Sequence, residues 1–257
     1  MIELKTPREI EEIARAGGII GALFREIERS VVAGESTLGL DRFAEEFIRS
    51  HPGAVPVFKG LYGFPGSLCT SINEEVVHGI PSDERILRDG DIISIDVGVK
   101  LDGWCSDSAR TFPVGEVSPE REHLLSVTRE ALDRAVEAAV PGAHVGDIGH
   151  AVEKVVEGTG FSIVRDLVGH GIGRKVHEDP QVPNRGRPGA GLELREGMVL
   201  AIEPMIAVGS YRTRTLKDNW TVVTADGSPA AHFEHTVALT ADGPRILTAE
   251  QSRVGTG

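Results

Sequence analysis

Four acidic residues stand inside apolar, strand-like segments of this 257-residue chain. Such segments pack into a protein interior, where an unpaired carboxylate costs several kcal/mol. A fold that buries these segments must therefore supply compensating positive charge. The residues and their segments are Asp96 in residues 92–99, Asp107 in 104–112, Glu203 in 200–205 and Glu234 in 231–237.

Two of these acids belong to one predicted β-hairpin. Asp107 follows Asp96 by eleven residues, and the sequence Leu-Asp-Gly at 101–103 between them is typical of a tight turn. Two adjacent antiparallel strands bring both carboxylates to the same place. For either carboxylate alone, an ion pair with Arg110 or another basic side chain is the competing interpretation.

Histidines accompany the acids. His170 lies in the sequence VGHGIG (168–173), whose three glycines let the backbone turn sharply and approach another group closely. This segment has neither the GxxxxGK[ST] form nor a GxGxxG before a helix, which argues against a nucleotide site. His78 and His177 also fit near the acids, either as structural hydrogen-bonding residues or as groups that hold a substrate amide or a developing oxyanion.

Four carboxylates and one imidazole form a charge-balanced set with two divalent cations. Oxygen-rich ligation with one imidazole suits Mn²⁺, Fe²⁺ or Co²⁺ and tolerates Zn²⁺, and the absence of thiolate ligands argues against a structural zinc site. Two such ions that share carboxylates, about 3.5–4 Å apart, generate hydroxide from a bound water near neutral pH. The set therefore predicts a hydrolytic dinuclear metal site.

The charge balance excludes other classes of function. The chain has 27 basic and 39 acidic residues and a net charge of -12. A negative net charge does not favour binding to nucleic acid or to an anionic membrane. The N-terminal sequence lacks a secretory-signal pattern, and no run of about 18 apolar residues occurs. We therefore expect a cytoplasmic protein in which Cys69 and Cys105 are reduced thiols.

Helix and strand signals occur in blocks along the chain, which predicts an α+β fold. A long first helix opens with the sequence TPRE at residues 6–9, which fits an N-cap, a proline at the first helical position and a capping box. Further helices are expected over 37–50, from Ser118 onward and around 148–156, with strands after residue 53 and from residue 161.

Two features concern the chain as a whole. Asp96 and Glu203 lie in similar apolar runs, which is a weak indication of two related halves. No linker of low complexity divides the sequence, so we expect one catalytic domain over residues 1–257, acting as a monomer. A frayed tail is expected at about 250–257.

The pattern closely resembles that of type I methionine aminopeptidases, in the pita-bread metallopeptidase superfamily. The resemblance covers nearly the whole chain and includes five candidate metal ligands in order. It implies a pita-bread (creatinase/aminopeptidase) fold, in which a curved antiparallel sheet is flanked by helices and the halves are related by a pseudo-twofold axis. The motifs that carry it are SINE (71–74), HGIP (78–81), DGDI (89–92), IDV (95–97), SDSARTF (106–112), GHGIG (169–173), HE (177–178), PQVPN (180–184), IEP (202–204) and FEHT (233–236).

Residue roles follow from the resemblance, position by position. Asp96 is expected to chelate one metal ion, and Asp107 and Glu234 are expected to bridge both ions. His170 and Glu203 would complete the shell of the other ion. The implied cofactors are two divalent ions, from Co²⁺, Mn²⁺, Fe²⁺ or Zn²⁺.

The resemblance also implies an activity, which is removal of the N-terminal initiator methionine from new chains with a small second residue. The partners are then N-terminal methionyl peptides and nascent chains, near the ribosome. For catalysis we expect His177 to polarise the scissile carbonyl, Glu203 to shuttle a proton and His78 to hydrogen-bond the peptide nitrogen of the substrate.

The predicted side-chain pocket departs from the family pattern. Phe58 stands where bacterial relatives often have Cys, and Leu61 and Phe64 stand where Tyr is usual, whereas Cys69 and Trp220 match. These residues still form an apolar, polarisable slot that suits an unbranched thioether. The lost hydroxyl groups predict that Leu or norleucine-like side chains enter more readily.

Alternative functions share parts of this pattern. An Xaa-Pro aminopeptidase or prolidase uses the same metals, but such enzymes usually carry a sizeable extra N-terminal domain, and the segment before Asp96 is short for one. A non-enzymatic pita-bread binding protein has lost ligands, and all five are present here. An iron oxygenase built on His170, His177 and one acid leaves the other acids unexplained.

Overall fold

The computed structural model describes residues 2–249, and the tail predicted at 250–257 lies outside the described residues. The α-helices are α1 Pro7–Ile27, α2 Thr37–Arg49, α3 Pro119–Ala138 and α4 Val145–Val156, and short 3₁₀ helices occur at Glu28–Ser30 and Leu61–Gly63. The strands are β1 Ala54–Pro56, β2 Leu68–Ile72, β3 Glu75–Val77, β4 Ile92–Leu101, β5 Trp104–Pro113, β6 Ser162–Ile163, β7 Gly169–Gly171, β8 Glu178–Val182, β9 Val199–Ile202, β10 Met205–Ala207, β11 Thr213–Thr215, β12 Val222–Thr224, β13 Ala230–His232, β14 His235–Thr240 and β15 Gly243–Ile246.

Helix α1 begins with the capping box that the sequence predicts. The Thr6 hydroxyl accepts the backbone N–H of Glu9 (3.4 Å), and the Glu9 carboxylate accepts the backbone N–H of Thr6 (2.9 Å). Farther along the helix, a Cβ at Gly17 would stand 2.3 Å from the carbonyl oxygen of Leu247. Glycine therefore lets α1 lie directly against the segment that follows β15.

The first half of the chain builds a helix pair on an antiparallel sheet. Strand β4 pairs with β5 on one side and with β1 and β2 on the other. The predicted tight turn joins β4 to β5, and Asp102 (φ 50°) and Gly103 (φ 86°) supply its left-handed positions. Buried side chains of α1, α2 and β4 form one continuous core cluster. The two helices therefore pack against this sheet and support it.

The second half repeats that plan with different elements. Its main sheet has the strand order β15-β14-β9-β7-β8, and the strands pair antiparallel. Helices α3 and α4 cover it, and their buried side chains share a second core cluster with β9 and β14. Two small antiparallel sheets, β13-β10-β6 and β11-β12-β3, complete the fold. The α+β prediction is confirmed, and both halves carry a helix pair.

Hydrogen bonds join the two halves along β5. The Asp107 N–H donates to the Thr236 hydroxyl (2.9 Å), which donates back to the Asp107 carbonyl (2.7 Å). The Ser108 hydroxyl donates to the Glu234 carbonyl (2.6 Å), and the Glu234 N–H donates to the Ala109 carbonyl (2.9 Å). These bonds bring two of the acids selected from sequence onto one seam.

Two further expectations bear on the surroundings of the chain. Within residues 2–249 no helix combines the length and the apolar character needed to cross a membrane. Cys69 and Cys105 are both buried free thiols, as the sequence predicts. Burial raises the pKa of the Cys105 thiol to about 11, so little of it is thiolate at neutral pH.

Candidate metal centre and active-site cleft

The β4–β5 register brings the first two acids together. Asp96 stands opposite Ala109, and Asp107 stands opposite Gly98, so the two acids are diagonal neighbours on one face of the hairpin. Arg110 belongs to the other face of β5, and its guanidinium lies 5.2 Å from the ring centroid of Phe24. The competing interpretation, an ion pair with Arg110, is therefore not favoured.

Three more candidate ligands come from the second half. His170 lies in β7 opposite Ala201 of β9, while Glu203 follows the last residue of β9 and Glu234 precedes the first residue of β14. Ligand atoms of Asp107, His170 and Glu234 all lie within 4.8 Å of one another. All five candidate ligands selected from sequence line one cavity, to which both halves of the chain contribute.

The electrostatics of this cluster are those expected of a site that binds cations. Burial is the main reason that the pKa values of Asp96, Glu203 and Glu234 lie well above their ordinary range, and repulsion from neighbouring carboxylates raises them further. Burial also raises the pKa of Asp107 to about 7. Four acids placed so close together repel one another when ionised, and divalent cations relieve that repulsion.

The hydrogen-bonding pattern points the same way. Oδ1 of Asp96, Oδ1 of Asp107 and Oε1 of Glu234 are buried oxygens with no hydrogen-bond partner among residues 2–249. Buried polar atoms nearly always have a partner, and unpaired ones call for an explanation such as an ion. Carboxylate oxygens and imidazole nitrogen are suitable ligands for divalent metal ions. The residues present therefore fit the metal centre that the resemblance implies.

His170 is held in the form that a metal ligand needs. Burial is the main cause, and the nearby His177 a lesser one, that lowers the pKa of His170 to about 4, so the imidazole is neutral at pH 7. Its Nδ1 lies 2.9 Å from the carbonyl oxygen of Gly171. Because an Nδ1–H donating to that carbonyl leaves Nε2 with a lone pair, Nε2 is the nitrogen available for a metal.

Two other histidines selected from sequence border the cluster. The His177 ring lies 4.5 Å from the His170 ring in a T-shaped contact, and burial lowers the pKa of His177. His78 adopts a left-handed backbone conformation (φ 60°). Its pKa is lowered mainly by burial and to a lesser extent by the nearby His177. A Cβ at Gly79 would stand 2.1 Å from the Thr70 carbonyl oxygen, so glycine allows this turn to press against β2.

A buried ion pair ties the His177 loop to the N-terminal segment. Lys5 Nζ donates to Glu178 Oε2 (2.6 Å), and the Lys side chain is only 4% exposed. The other Glu178 oxygen accepts the backbone N–H of Lys175 (3.1 Å). Both oxygens of Glu178 are thus engaged, which fixes the backbone next to His177.

An apolar cavity of about 270 Å³ opens onto the acidic cluster. Phe64 packs edge-on against Trp220 with ring centroids 5.1 Å apart, and Trp220 in turn meets the His78 ring at 6.5 Å. The pocket residues selected from sequence all line this cavity: Phe58, Leu61, Phe64, Cys69 and Trp220. One end of the cavity is therefore apolar, and the other end is the candidate metal site.

Sequence reasoning missed Tyr62 at the mouth of this cavity. Its side chain is 77% exposed, its backbone is left-handed (φ 51°), and its ring stacks on His177 with centroids 6.1 Å apart. Exposed aromatic residues in strained conformations are uncommon and concentrate at functional sites. The sequence signal was only its position beside Leu61.

His232 is the second residue that sequence reasoning missed. It lines a larger cleft of about 730 Å³ together with His78, Asp96, His170 and Glu203. Burial is the main cause, and the nearby His78 a lesser one, that lowers the pKa of His232 to about 3, so the ring is neutral at pH 7. The available signal was the one used for Glu234, a polar side chain within an apolar strand segment.

Comparisons with known proteins identify what this arrangement is similar to. The model of metallopeptidase family M24 matches residues 11–241 of the chain. A methionine aminopeptidase of Clostridium acetobutylicum is 53% identical over 248 residues, which are 96% of this chain and 99% of that protein. The crystal structure of methionine aminopeptidase from Thermotoga maritima superposes with a TM-score of 0.95 at 45% identity, covering 97% of this chain and 100% of that one.

A more distant structure shares the fold alone. The Xaa-Pro dipeptidase from Bacillus anthracis superposes with a TM-score of 0.77 at 23% identity, and the match covers 97% of this chain but 63% of that one. The pita-bread fold expected from the resemblance is thus confirmed by both structures. The two aminopeptidases match over nearly their whole length, whereas the remainder of the dipeptidase chain lies outside the match.

Proposed function

This chain belongs to the methionine aminopeptidases of metallopeptidase family M24, and we propose that it removes the initiator methionine from newly made proteins with two divalent metal ions. We propose further that it prefers substrates with a small second residue. The supporting observation is the junction of one apolar cavity with the cluster of buried acids. That junction offers a slot for a methionine side chain beside a site for metal ions.

The proposed ligands divide between two ions. Asp96 would hold one ion, Asp107 and Glu234 would bridge both, and His170 and Glu203 would complete the set of direct ligands of the other ion. Support comes from the unpartnered buried oxygens and from the raised carboxyl pKa values. Oxygen-rich ligation suits Co²⁺, Mn²⁺ or Fe²⁺ and tolerates Zn²⁺.

Bound metal ions would polarise the scissile carbonyl and lower the pKa of a bound water to about 7. The chain's own residues would do the rest. The neutral His177 imidazole would hydrogen-bond the substrate carbonyl, and Glu203 would carry a proton from the attacking water to the leaving amine. His78, at the edge of both the cavity and the cleft, would hold the peptide nitrogen of the substrate.

The apolar cavity would hold the methionine side chain. Phe58, Leu61 and Phe64 offer ring and methyl surfaces without hydroxyl groups, and Cys69 adds a polarisable sulfur. An unbranched thioether fits such a slot through dispersion contacts alone. We therefore propose that leucine and norleucine are accepted more readily than by relatives whose pockets contain tyrosine hydroxyls.

The cellular setting is also proposed from the resemblance. We propose a single catalytic domain that acts as a monomer in the cytoplasm on nascent chains near the ribosome. The net charge of -12 supports a protein that does not itself hold nucleic acid.

The decisive experiment measures hydrolysis of the peptide Met-Ala-Ser. We expect metal-free protein to be inactive and to regain activity with Mn²⁺ or Co²⁺, because the buried acids need those ions. Asp107→Asn and Glu234→Gln should each abolish hydrolysis while the circular dichroism spectrum is unchanged. Exposed acids provide matched controls, and Asp242→Asn and Glu122→Gln should retain full activity.

Three results would contradict the proposal. Activity that survives chelation rejects metal catalysis, and near-normal activity of either ligand variant rejects its bridging role. Faster cleavage of an Xaa-Pro peptide than of Met-Ala-Ser would favour the prolidase-like alternative.

A further inference from the structure

His232 has a buried ring that the proposed chemistry does not use. It ends strand β13, is 2% exposed, and neither of its ring nitrogens has a hydrogen-bond partner among residues 2–249. Buried side-chain polar atoms rarely lack partners, because burial removes the hydrogen bonds that water would supply. A role for this ring is therefore expected within the cleft that it lines.

The neighbour of the ring is the carboxylate of Glu203. Nε2 of His232 lies 3.6 Å from Oε2 of Glu203, and Nε2 of His170 lies 3.6 Å from Oε1 of the same group. Glu203 is thus flanked by two imidazoles, one at each oxygen. The amide of Asn184 donates to the backbone carbonyl of Glu203 (2.9 Å), so it fixes the backbone and leaves the carboxylate to other groups.

The backbone of His232 is fixed on the seam between the halves. Its N–H donates to the Thr111 hydroxyl (2.9 Å), and that hydroxyl lies 2.8 Å from the His232 carbonyl oxygen, to which it donates. His232 also stands opposite Met205 in the β13–β10 ladder. A ring attached to so constrained a backbone can orient a neighbouring carboxylate.

We propose that His232 is a positioning residue, whose Nε2–H donates a hydrogen bond to Oε2 of Glu203 and turns Oε1 toward the metal site that it shares with His170. The inference rests on the proposed function, because it assumes that Glu203 is a metal ligand. Closing the gap to an ordinary N–H···O distance requires a shift of about 0.6 Å. Carboxylates that bind metals are commonly hydrogen-bonded in this way by a neighbouring group.

The geometry separates this role from direct ligation. His170 and His232 approach different oxygens of Glu203, so the carboxylate stands between the second imidazole and the first. His232 therefore acts on the metal through Glu203.

Metal affinity, measured by titration calorimetry of metal-free protein with Mn²⁺, tests the inference without relying on activity. His232→Phe keeps a ring of similar shape but removes the donor, and we expect it to weaken binding of one ion by about 10- to 100-fold. His232→Gln retains an N–H donor and should remain close to wild type. His123→Phe, on the exposed surface of α3, is the matched control and should bind like wild type.

The absorption spectrum of the Co²⁺-loaded protein distinguishes positioning from ligation. At saturating Co²⁺, the Phe variant should show the wild-type visible bands, because the ligand set is unchanged. Altered bands in both the Phe and Gln variants would mean that His232 is itself a ligand, which overturns the inference. Wild-type affinity in the Phe variant would overturn it as well.

Steady-state kinetics separate a third possibility. A positioning role should lower kcat of the Phe variant at saturating metal with little change in KM for Met-Ala-Ser. A rise in KM with unchanged metal affinity would instead make His232 a substrate-binding residue. If wild-type protein binds no metal, the proposed function fails together with the inference; if it binds metal and the Phe variant binds equally, only the inference fails.

Discussion

Burial governs what individual ionisable side chains can do in this cleft. Desolvation disfavours the charged form of every group, so the pKa values of the acids rise and those of the histidines fall. The result in metal-free protein is a set of neutral imidazoles beside carboxyl groups that hold protons unusually well. A metal ion reverses this preference for the carboxyl groups, because it binds their ionised form.

Proton release on metal binding follows from these pKa shifts. The pKa of Asp107 is about 7, and the pKa values of Asp96, Glu203 and Glu234 are also raised, so part of the cluster is protonated at pH 7 in metal-free protein. The pKa of His170 is about 4, so this ligand has no proton to lose there. We expect Mn²⁺ binding to release protons at pH 7 and to strengthen from pH 6 to pH 8.

Calorimetric titrations in buffers with different ionisation enthalpies measure that release. Asp107→Asn should release fewer protons than wild type, because one titrating ligand is gone. Binding that releases no protons at pH 7 would contradict the raised carboxyl pKa values.

Sequence reasoning at single residues selected polar groups that interrupt apolar runs. Asp96, Asp107, Glu203 and Glu234 stood out by that contrast, and the structure brings them together. His232 carried the same contrast but was passed over, because its significance depends on its distance from Glu203. Tyr62 does not interrupt an apolar run, so nothing in the local sequence marked it. Its stacking on His177 joins residues far apart in sequence.

Individual helices and strands follow local sequence rules closely. Helix α1 begins with the predicted capping box, helix α3 begins where predicted with Ser118 as its N-cap, and the predicted β4–β5 turn contains two left-handed residues. Each of these features depends on a few neighbouring residues, and for that reason the sequence could reveal it. Asp41 shows the opposite case, since its carboxylate accepts the N–H groups of Ser67 and Leu68 at the distant start of β2.

Thr6 provides a test of the local rule. Thr6→Ala removes the hydroxyl that accepts the Glu9 N–H, and we expect the free energy of unfolding to fall by about 1 kcal/mol. Urea denaturation at a fixed metal concentration measures this change. Thr6→Ser keeps a hydroxyl and should retain most of the stability, so equal losses in both variants would show that the cap is not the cause.

The whole molecule assembles its candidate site from two halves. Asp96 and Asp107 belong to the sheet that α1 and α2 support, whereas His170, Glu203 and Glu234 belong to the part that α3 and α4 cover. Metal ions held by all five would link the halves across the seam. Since the unfolded chain does not gather these ligands, metal binding should favour the folded state.

Thermal unfolding with and without Mn²⁺ tests that linkage. At a free metal concentration 100-fold above Kd, the expected stabilisation is about 2.7 kcal/mol, so Tm should rise and chelation should reverse the rise. Asp107→Asn should show a smaller increase, whereas Asp242→Asn should match wild type. The same Tm in metal-loaded and metal-free protein would contradict a structural link between the halves.

The sequence alone determined the helices, the hairpin turn, the unusual acids and, through its resemblance, the family. These properties depend on neighbours along the chain or on motifs that stay together in it. Only the tertiary structure decided that ligand atoms of His170 and Glu234 lie within 4.8 Å of Asp107, that Glu203 stands between two imidazoles, and that an apolar cavity ends at the acids. Strand register and the packing of two halves set those distances, because they join residues far apart in sequence.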